Sequence, residues 1–376
     1  MGRKLASLLI LLLVAVSTAY SIGFGYHVIE ARSDVDFAGG IFPIAVNYQF
    51  NFPVPDLLPG SMTELAFRLD NGLDFRTLRQ NPETGDFYAL EEGVDYSLDY
   101  MVVYDEFNLF FNQGFWNDHL TLGVSIDGRF ENAYESLEYL SNPDGNALFT
   151  LPDGSARFKS FIGAPELEGS RSIFQTYLSG LLAIDFMDDE TVRRNGARLT
   201  SDFRITGPWM PMNDSSGDFL ISSNTLDLSL TLFHLERGSG KSWISLVLDN
   251  STTYRFIWGD KVPVYIEGGV LFDGVAAPAT RHVVTNELAL TIYGPQFTVD
   301  TYPSVSLFWD FGYSFGPALN SMADTTYGET VSVWGVKAEF LVLDIFKVYW
   351  HWGYVVDPVF NEQSRALTRL GFTFGV

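Results

Sequence analysis

Three alternating runs lie between Val331 and Val376, and they constrain the fold more than any other stretch. Trp334, Val336, Ala338, Phe340 and Val342 share one parity, with Gly335, Lys337 and Glu339 on the other. Phe346, Val348, Trp350, Trp352 and Tyr354 then alternate with Lys347, Tyr349, His351 and Gly353. Last, Leu370, Phe372, Phe374 and Val376 alternate with Arg369, Gly371, Thr373 and Gly375. Neighbouring side chains of a strand point to opposite faces. A period of two therefore predicts strands with one face in an apolar medium and the other in a polar one.

The same period runs through most of the chain. Ile22, Phe24, Tyr26 and Val28 open it, and Phe42, Ile44, Val46, Tyr48, Phe50 and Phe52 follow. Leu65, Phe67 and Leu69 start a short third run. Further runs begin at Phe107, Leu120, Phe174, Phe203, Leu226, Ile244, Val262, Leu288 and Val305. Counting strands alternately up and down predicts about 16. Leaving out the weak run Ala156 to Ile162 with one neighbour predicts 14. Through the clearest runs the apolar parity carries no Lys, Arg, Asp or Glu apart from the turn at Asp344. The opposite parity holds mostly Gly, Ser, Thr, Asn and Gln with scattered charges. A soluble β-sandwich would instead show a solvent face rich in Lys and Glu. Aromatics gather near strand ends, at Tyr48–Phe52, Tyr254–Trp258, Trp309–Phe315 and Tyr349–Tyr354, as interfacial girdles do.

The alternating end of the chain resembles the closing strand of a bacterial outer-membrane β-barrel of the porin-like kind. That family usually ends on an aromatic residue, where Val376 stands here. The resemblance implies an all-β fold: a transmembrane antiparallel β-barrel of about 14–16 strands in the bacterial outer membrane. It also implies outer-membrane lipid as a partner, and barrel-assembly machinery during insertion. Residues 1–21 read as a signal peptide, with Arg3 and Lys4 before the apolar core Leu5 to Val16 and small residues at Ser17-Thr18-Ala19. Ala19-Tyr20-Ser21 is an alternative cleavage site, and an N-terminal anchor helix is the alternative reading of the segment. Residues 22–376 read as one barrel domain. Within it, 131–170 reads as a long surface loop, with Pro-Asp-Gly turns at Asn142–Gly145 and Leu151–Gly154. Glu131, Glu135 and Glu138 would alternatively lie on a short helix.

Composition excludes several functions. The chain has no cysteine, so disulfides, thiolate metal sites and a lipoprotein anchor are ruled out. A formal charge of −23 argues against nucleic acid, which needs Lys and Arg patches. No cofactor is expected. Gly238-Ser239-Gly240-Lys241-Ser242 matches the end of a P-loop, but Leu235 stands where the first glycine belongs and strands are expected on both sides. A hairpin turn is the reading. Of the five histidines, none has metal-ligand spacing. His27, His119 and His351 fall on the polar parity, and His234 follows the leucine parity.

The charges on the polar parity are the candidate lumen-lining residues: Arg68, Arg129, Arg204, Asp227, Arg255, Glu267, Glu287, Asp310, Lys337, Glu339, Lys347 and Arg369. One reading is a salt-bridge network bracing the wall; the other is a charged pore lining that sets selectivity. Acidic connections such as Glu91, Glu92, Asp95, Asp188, Asp189 and Glu190 would repel anions from a mouth. The expected function is a non-enzymatic channel or transporter for passive passage of small solutes, preferring cations. The alternatives are a plugged structural or surface-binding (adhesin-like) barrel, a membrane hydrolase and a secreted soluble β-protein. The solute and the oligomeric state stay open at this stage.

Overall fold

The computed structural model describes residues 26–36, 44–52, 54–79, 97–134, 172–188, 192–210, 218–237, 242–259, 270–272, 275–276, 280–297, 301–319, 326–342, 346–356 and 366–375. The expected signal peptide lies outside them. Among the described residues all regular structure is β, and no helix is long and apolar enough to cross a membrane. The strands are β1 Tyr26–Asp36, β2 Ile44–Phe52, β3 Thr63–Arg79, β4 Ser97–Phe115 and β5 Leu120–Tyr134. Next come β6 Ser172–Asp185, β7 Gly196–Thr206, β8 Phe219–Arg237 and β9 Ser242–Gly259. A small pair, β10 Val270–Phe272 and β11 Val275–Ala276, precedes β12 Thr280–Tyr293, β13 Thr301–Ala318, β14 Thr326–Val342, β15 Phe346–Val356 and β16 Ala366–Gly375.

Fourteen of these close into one barrel, in the order β1-β16-β15-β14-β13-β12-β9-β8-β7-β6-β5-β4-β3-β2. All neighbours run antiparallel. Closure is made by β1, which pairs with β2 (Tyr26 opposite Asn51) and with β16 (Glu30 opposite Gly375). An antiparallel closed wall leaves no strand edge without partners, the condition for backbone to sit in lipid. The wall passes directly from β5 to β6 and from β9 to β12, which sets the count at 14 rather than 16. The expected runs at 156–162 and 262–266 lie outside the described residues, and 270–276 forms the separate pair β10–β11.

Three expectations need correction. The first described strand is Tyr26–Asp36, which takes in Glu30, Arg32, Asp34 and Asp36 and reverses the expected faces, since Tyr26 and Val28 stand opposite the inner-parity Asn51 and Gln49; residues 22–25 lie outside the described ones. The third run is not short, because β3 reaches Arg79. The loop expected at 131–170 starts later: β5 continues through Tyr134, so Glu131 lies in a strand opposite Tyr104 rather than on a helix. Residues 135–170 lie outside the described ones. In β1 and β5 the charged residues keep to one parity, as Asp127, Arg129 and Glu131 do against Ile126, Gly128 and Phe130, so alternation continues and only the density of charge resembles a connection.

Register fixes the two faces. Leu230, Leu248, Leu290, Leu307, Val336 and Trp352 are successive cross-strand partners from β8 to β15. Leu109, Ile126, Leu178 and Ile205 make a similar row from β4 to β7. These rows are the exposed ones: Leu307 is 59% and Ile126 50% exposed. Their apolar side chains point away from the molecule. Two glycines on this face are covered by aromatics, Gly128 by the Phe107 ring and Gly180 by the Phe203 ring. That is a common way to fill a strand position that lacks a side chain.

Strands β8 and β9 pair as far as Arg237 opposite Ser242, and the turn expected at 238–241 lies outside the described residues. The register slips between Thr231 and Phe233, leaving Leu232 as an extra residue. Leu226, Leu228, Leu230 and Leu232 are exposed on one parity, and Phe233 and Leu235 are exposed on the other. This β-bulge reverses the faces for the rest of the strand. The Thr231 N–H donates to Asn195 Oδ1 at 2.8 Å, and the Thr231 hydroxyl donates to the Arg194 carbonyl at 2.9 Å.

Candidate functional site in the inner wall

The inner face is the candidate site, since the outer one meets an apolar medium. The eleven described candidates, all but Glu267, lie on the parity opposite the exposed leucines. Asp185, Arg198, Asp227, Ser251, Glu287 and Asp310 are cross-strand partners in one row over β6, β7, β8, β9, β12 and β13. Arg198 Nε donates to Asp185 at 2.6 Å, and Ser251 Oγ donates to Asp227 at 2.6 Å. Glu287 is exposed and Asp310 is 7% exposed. Lys337 and Lys347 both reach Glu339, at 3.1 and 3.6 Å, and both flank the Tyr349 ring. Arg369 stands opposite His351. Arg255 is partly buried, and its Nε has no hydrogen-bond partner among the described residues.

Arg129 is braced on three sides. It lies 2.7 Å from Glu106 and 2.7 Å from Glu131, with its guanidinium 4.2 Å above the Tyr104 ring. Tyr104 lies flat because Gly72 offers no Cβ beneath it. Arg204 approaches Glu106 only to 4.0 Å.

Beside these groups the wall of β2–β7 forms a cavity of about 390 Å³. Arg68 and Arg204 face it, with the carboxylates Asp70, Glu106, Asp127 and Asp202. Asp127 is buried and fully engaged: Asn108 Nδ2 donates to one oxygen and Ser179 Oγ to the other. Glu64 accepts from Asn112 Nδ2 at 3.0 Å. Arg68 is exposed and makes no ion pair among the described residues. Mixed charge, amides and hydroxyls are a surface that polar solutes wet and slide along. Asp70, Glu106, Asp127 and Asp202 were not among the candidates. Asp127 shares Arg129's parity two residues earlier, and Asp70 and Glu106 share Arg68's face through the β2–β4 register. Parity alone was signal enough, since Asp202 likewise lies two residues before Arg204 and Glu106 stands on the polar parity of the Phe107 run.

Two features of the inner face were not foreseen. Tyr177, Phe219, Ile257 and Leu319 form a buried apolar cluster, and Val331, Val333, Val355 and Leu367 form a second with Phe308 against it. Both lie toward the barrel end that carries the connections 80–96, 135–171 and 260–279. At the opposite end, the segment 192–195 packs on Ser229 and Thr231, inner-face residues of β8. His351 keeps the inner side that its parity implied, whereas His27 falls on the outer parity opposite Phe50, and His119 and His234 also depart from expectation. His119 is in the β4–β5 turn, stacked on Phe186 with Nδ1 2.7 Å from the Asp185 carbonyl oxygen. The bulge turns His234 inward, opposite Ser245 and 3.3 Å from Glu236. His351 packs against Phe308 inside. His282 lies outside, among Tyr254, Phe256 and Phe315.

No protein-family model and no curated protein matches the chain. Among solved structures, it is similar to BamA from Haemophilus ducreyi lacking POTRA domains 1–3, at 12% identity and a TM-score of 0.47, covering 93% of this chain and 70% of that one. It is also similar to CdiB from Acinetobacter baumannii, at 10% identity and a TM-score of 0.49, covering 93% of this chain and 60% of that one. A third is the toluene transporter TodX from Pseudomonas putida, at 9% identity and a TM-score of 0.30, with 93% and 87% covered. The chain spans less than two thirds of the CdiB chain's length. The membrane placement follows from the wall itself: even-numbered, antiparallel, closed and apolar outside, it is a barrel of the bacterial outer-membrane type.

Proposed function

We propose that the protein is a passive outer-membrane channel for small polar solutes, preferring cations, and not an enzyme. The observation that carries this reading is the charged cavity in the inner wall of β2–β7. An apolar filling would have sufficed to brace the wall. Instead four carboxylates and two guanidinium groups line it, so the local balance is acidic, in keeping with the chain's formal −23. In a confined space of low dielectric such a balance concentrates cations and repels anions. Arg68, Arg129, Arg204, Asp227, Arg255, Glu287, Asp310, Lys337, Glu339, Lys347 and Arg369 would line the path, with Glu267 the twelfth member of that set. Connections are longest at the end carrying 135–171, which in such barrels faces outward, with short turns on the periplasmic side.

His234, Glu236 and Ser245 come nearest to a hydrolytic grouping. Ser245, however, is fully buried and its hydroxyl donates to the Phe233 carbonyl, so it presents no nucleophile. This favours the non-enzymatic reading. A barrel closed to solutes, serving structure or surface binding, is the second reading, and the inner clusters around Leu319 and Val333 favour it.

Conductance of the purified full-length protein in planar bilayers separates the two. Under a salt gradient we expect open-channel current with a reversal potential of cation sign, and weaker preference in Asp202→Asn. Absence of current would establish the closed barrel, and a reversal potential of anion sign would overturn the cation preference.

A further inference from the structure

The outer face carries one region that an apolar solvent does not explain. On four adjacent strands, polar side chains interrupt the lipid-facing parity: Ser201 on β7, Ser222 and Asn224 on β8, Asn250 and Thr252 on β9, and Asn286 on β12. Register makes two adjoining groups of them, with Ser201 opposite Asn224 and Thr252 opposite Asn286, and Asn224 meets Thr252 only diagonally because its direct partner on β9 is Tyr254. Apolar residues bound the region along each strand. Leu199 and Phe203 flank Ser201, Leu226 and Leu220 flank the β8 pair, Leu248 and Tyr254 flank the β9 pair, and Leu288 and Val284 flank Asn286. It is an island inside the apolar band, and not the band's ragged edge.

Each of the two groups is hydrogen-bonded within itself, and Asn250 Nδ2 also donates to the Glu287 carbonyl at 3.4 Å. Ser201 Oγ donates to Asn224 Oδ1 at 2.7 Å, and Asn224 Nδ2 donates to Ser222 Oγ at 3.2 Å. Asn286 Nδ2 donates to Thr252 Oγ1 at 2.7 Å, and Thr252 Oγ1 donates to Asn250 Oδ1 at 3.3 Å. These bonds leave capacity over. Each amide has two N–H donors and two acceptor lone pairs. Asn286 uses a single N–H, and its carbonyl oxygen has no partner among the described residues. In hydrocarbon such leftover groups cost free energy that water would otherwise offset.

We propose that this island is the contact through which a second copy of the chain docks in the membrane plane. Three properties select that occupant. Every member is neutral and most carry both donor and acceptor, so the surface complements a copy of itself, as a two-fold interface requires. An anionic lipid headgroup would call for Lys or Arg, and the island has neither. Water is shut out by the apolar rows that flank it on each strand. Association then follows the rule for protein contacts inside membranes, where amide and hydroxyl groups bond across an otherwise apolar interface. This inference rests on the barrel fold and stands whether or not the lumen conducts.

The chain has no cysteine, which makes the test direct. Asn250→Cys and Asn286→Cys place a lone thiol in the island. Leu370→Cys places one on the outer face of β16, four strands round the wall from Asn286 on β12 and five from Asn250 on β9. With the full-length protein in proteoliposomes and a short bismaleimide, we expect a crosslinked dimer from both island variants and none from Leu370→Cys. The triple variant Asn250→Leu, Thr252→Val, Asn286→Leu should stay folded, because the new side chains suit lipid. It should weaken self-association roughly tenfold, the loss of a few membrane hydrogen bonds. Crosslinking equal at Leu370, no crosslinking at the island, or undiminished association of the folded triple variant would each overturn the proposal.

Discussion

At the residue scale, alternation in the sequence told, except in β1 and at the end of β8, which side of the wall a residue takes but not what it meets there. Arg129 and Arg68 look alike in sequence, since each is a lone cation on the polar parity. Pairing across strands separates them: Arg129 is clamped between Glu106 and Glu131 above Tyr104, whereas Arg68 faces the cavity. Bracing and lining are thus both present, at different positions. Removing one partner of a largely buried ion pair leaves the others uncompensated, which costs about 3 kcal/mol. Arg129→Ala should lower stability against denaturant by about that much, because Glu131 and Glu106 would lie side by side without a cation. Arg68→Ala, measured beside it, should leave stability nearly unchanged. Equal losses in the two variants would contradict the distinction.

At the scale of the element, the sequence indicated strand identity over most of the wall, and its errors share a physical origin. Alternation is enforced only where lipid meets the strand. Thr63–Arg79 continues beyond that zone with charged residues on both parities, and Leu120–Tyr134 carries Asp127, Arg129 and Glu131 in succession on its inner parity, so their far ends read as connections. A bulge is less visible still: it inserts one residue, changes no composition, and appears only as two neighbouring apolar side chains, Leu232 and Phe233. His234 was consequently assigned to the wrong face. Deleting Leu232 removes the extra residue and should leave both faces unchanged, with Phe233 and Leu235 outward and His234 and Glu236 inward, because Phe233 already stands opposite Leu246, next to the Thr231–Val247 pair. The expected cost is about 1 kcal/mol, from the lost anchor of Thr231 on Asn195. Heat-modifiable mobility on gels reads it, as a small drop in the temperature for loss of the compact band. Loss of the compact band at all temperatures would mean that the bulge itself is needed for the register.

At the scale of the whole molecule, closure turns a list of alternating runs into an inside and an outside. The apolar exterior was legible because every outward row repeats the same demand. The interior was legible only in part. Tyr177, Phe219 and Ile257 sit on the polar parity and meet Leu319 from a connection, a packing that no single strand announces. The central claim is that one face of each strand meets lipid and the other meets water within the wall. Cysteine scanning along β4, in a chain without native thiols, tests it most directly. Substitutions at 106, 108, 110 and 112, taken one at a time in proteoliposomes, should react with a water-soluble, membrane-impermeant maleimide, while those at 107, 109 and 111 stay unlabelled. Uniform labelling along the strand, or labelling confined to the odd positions, would contradict it.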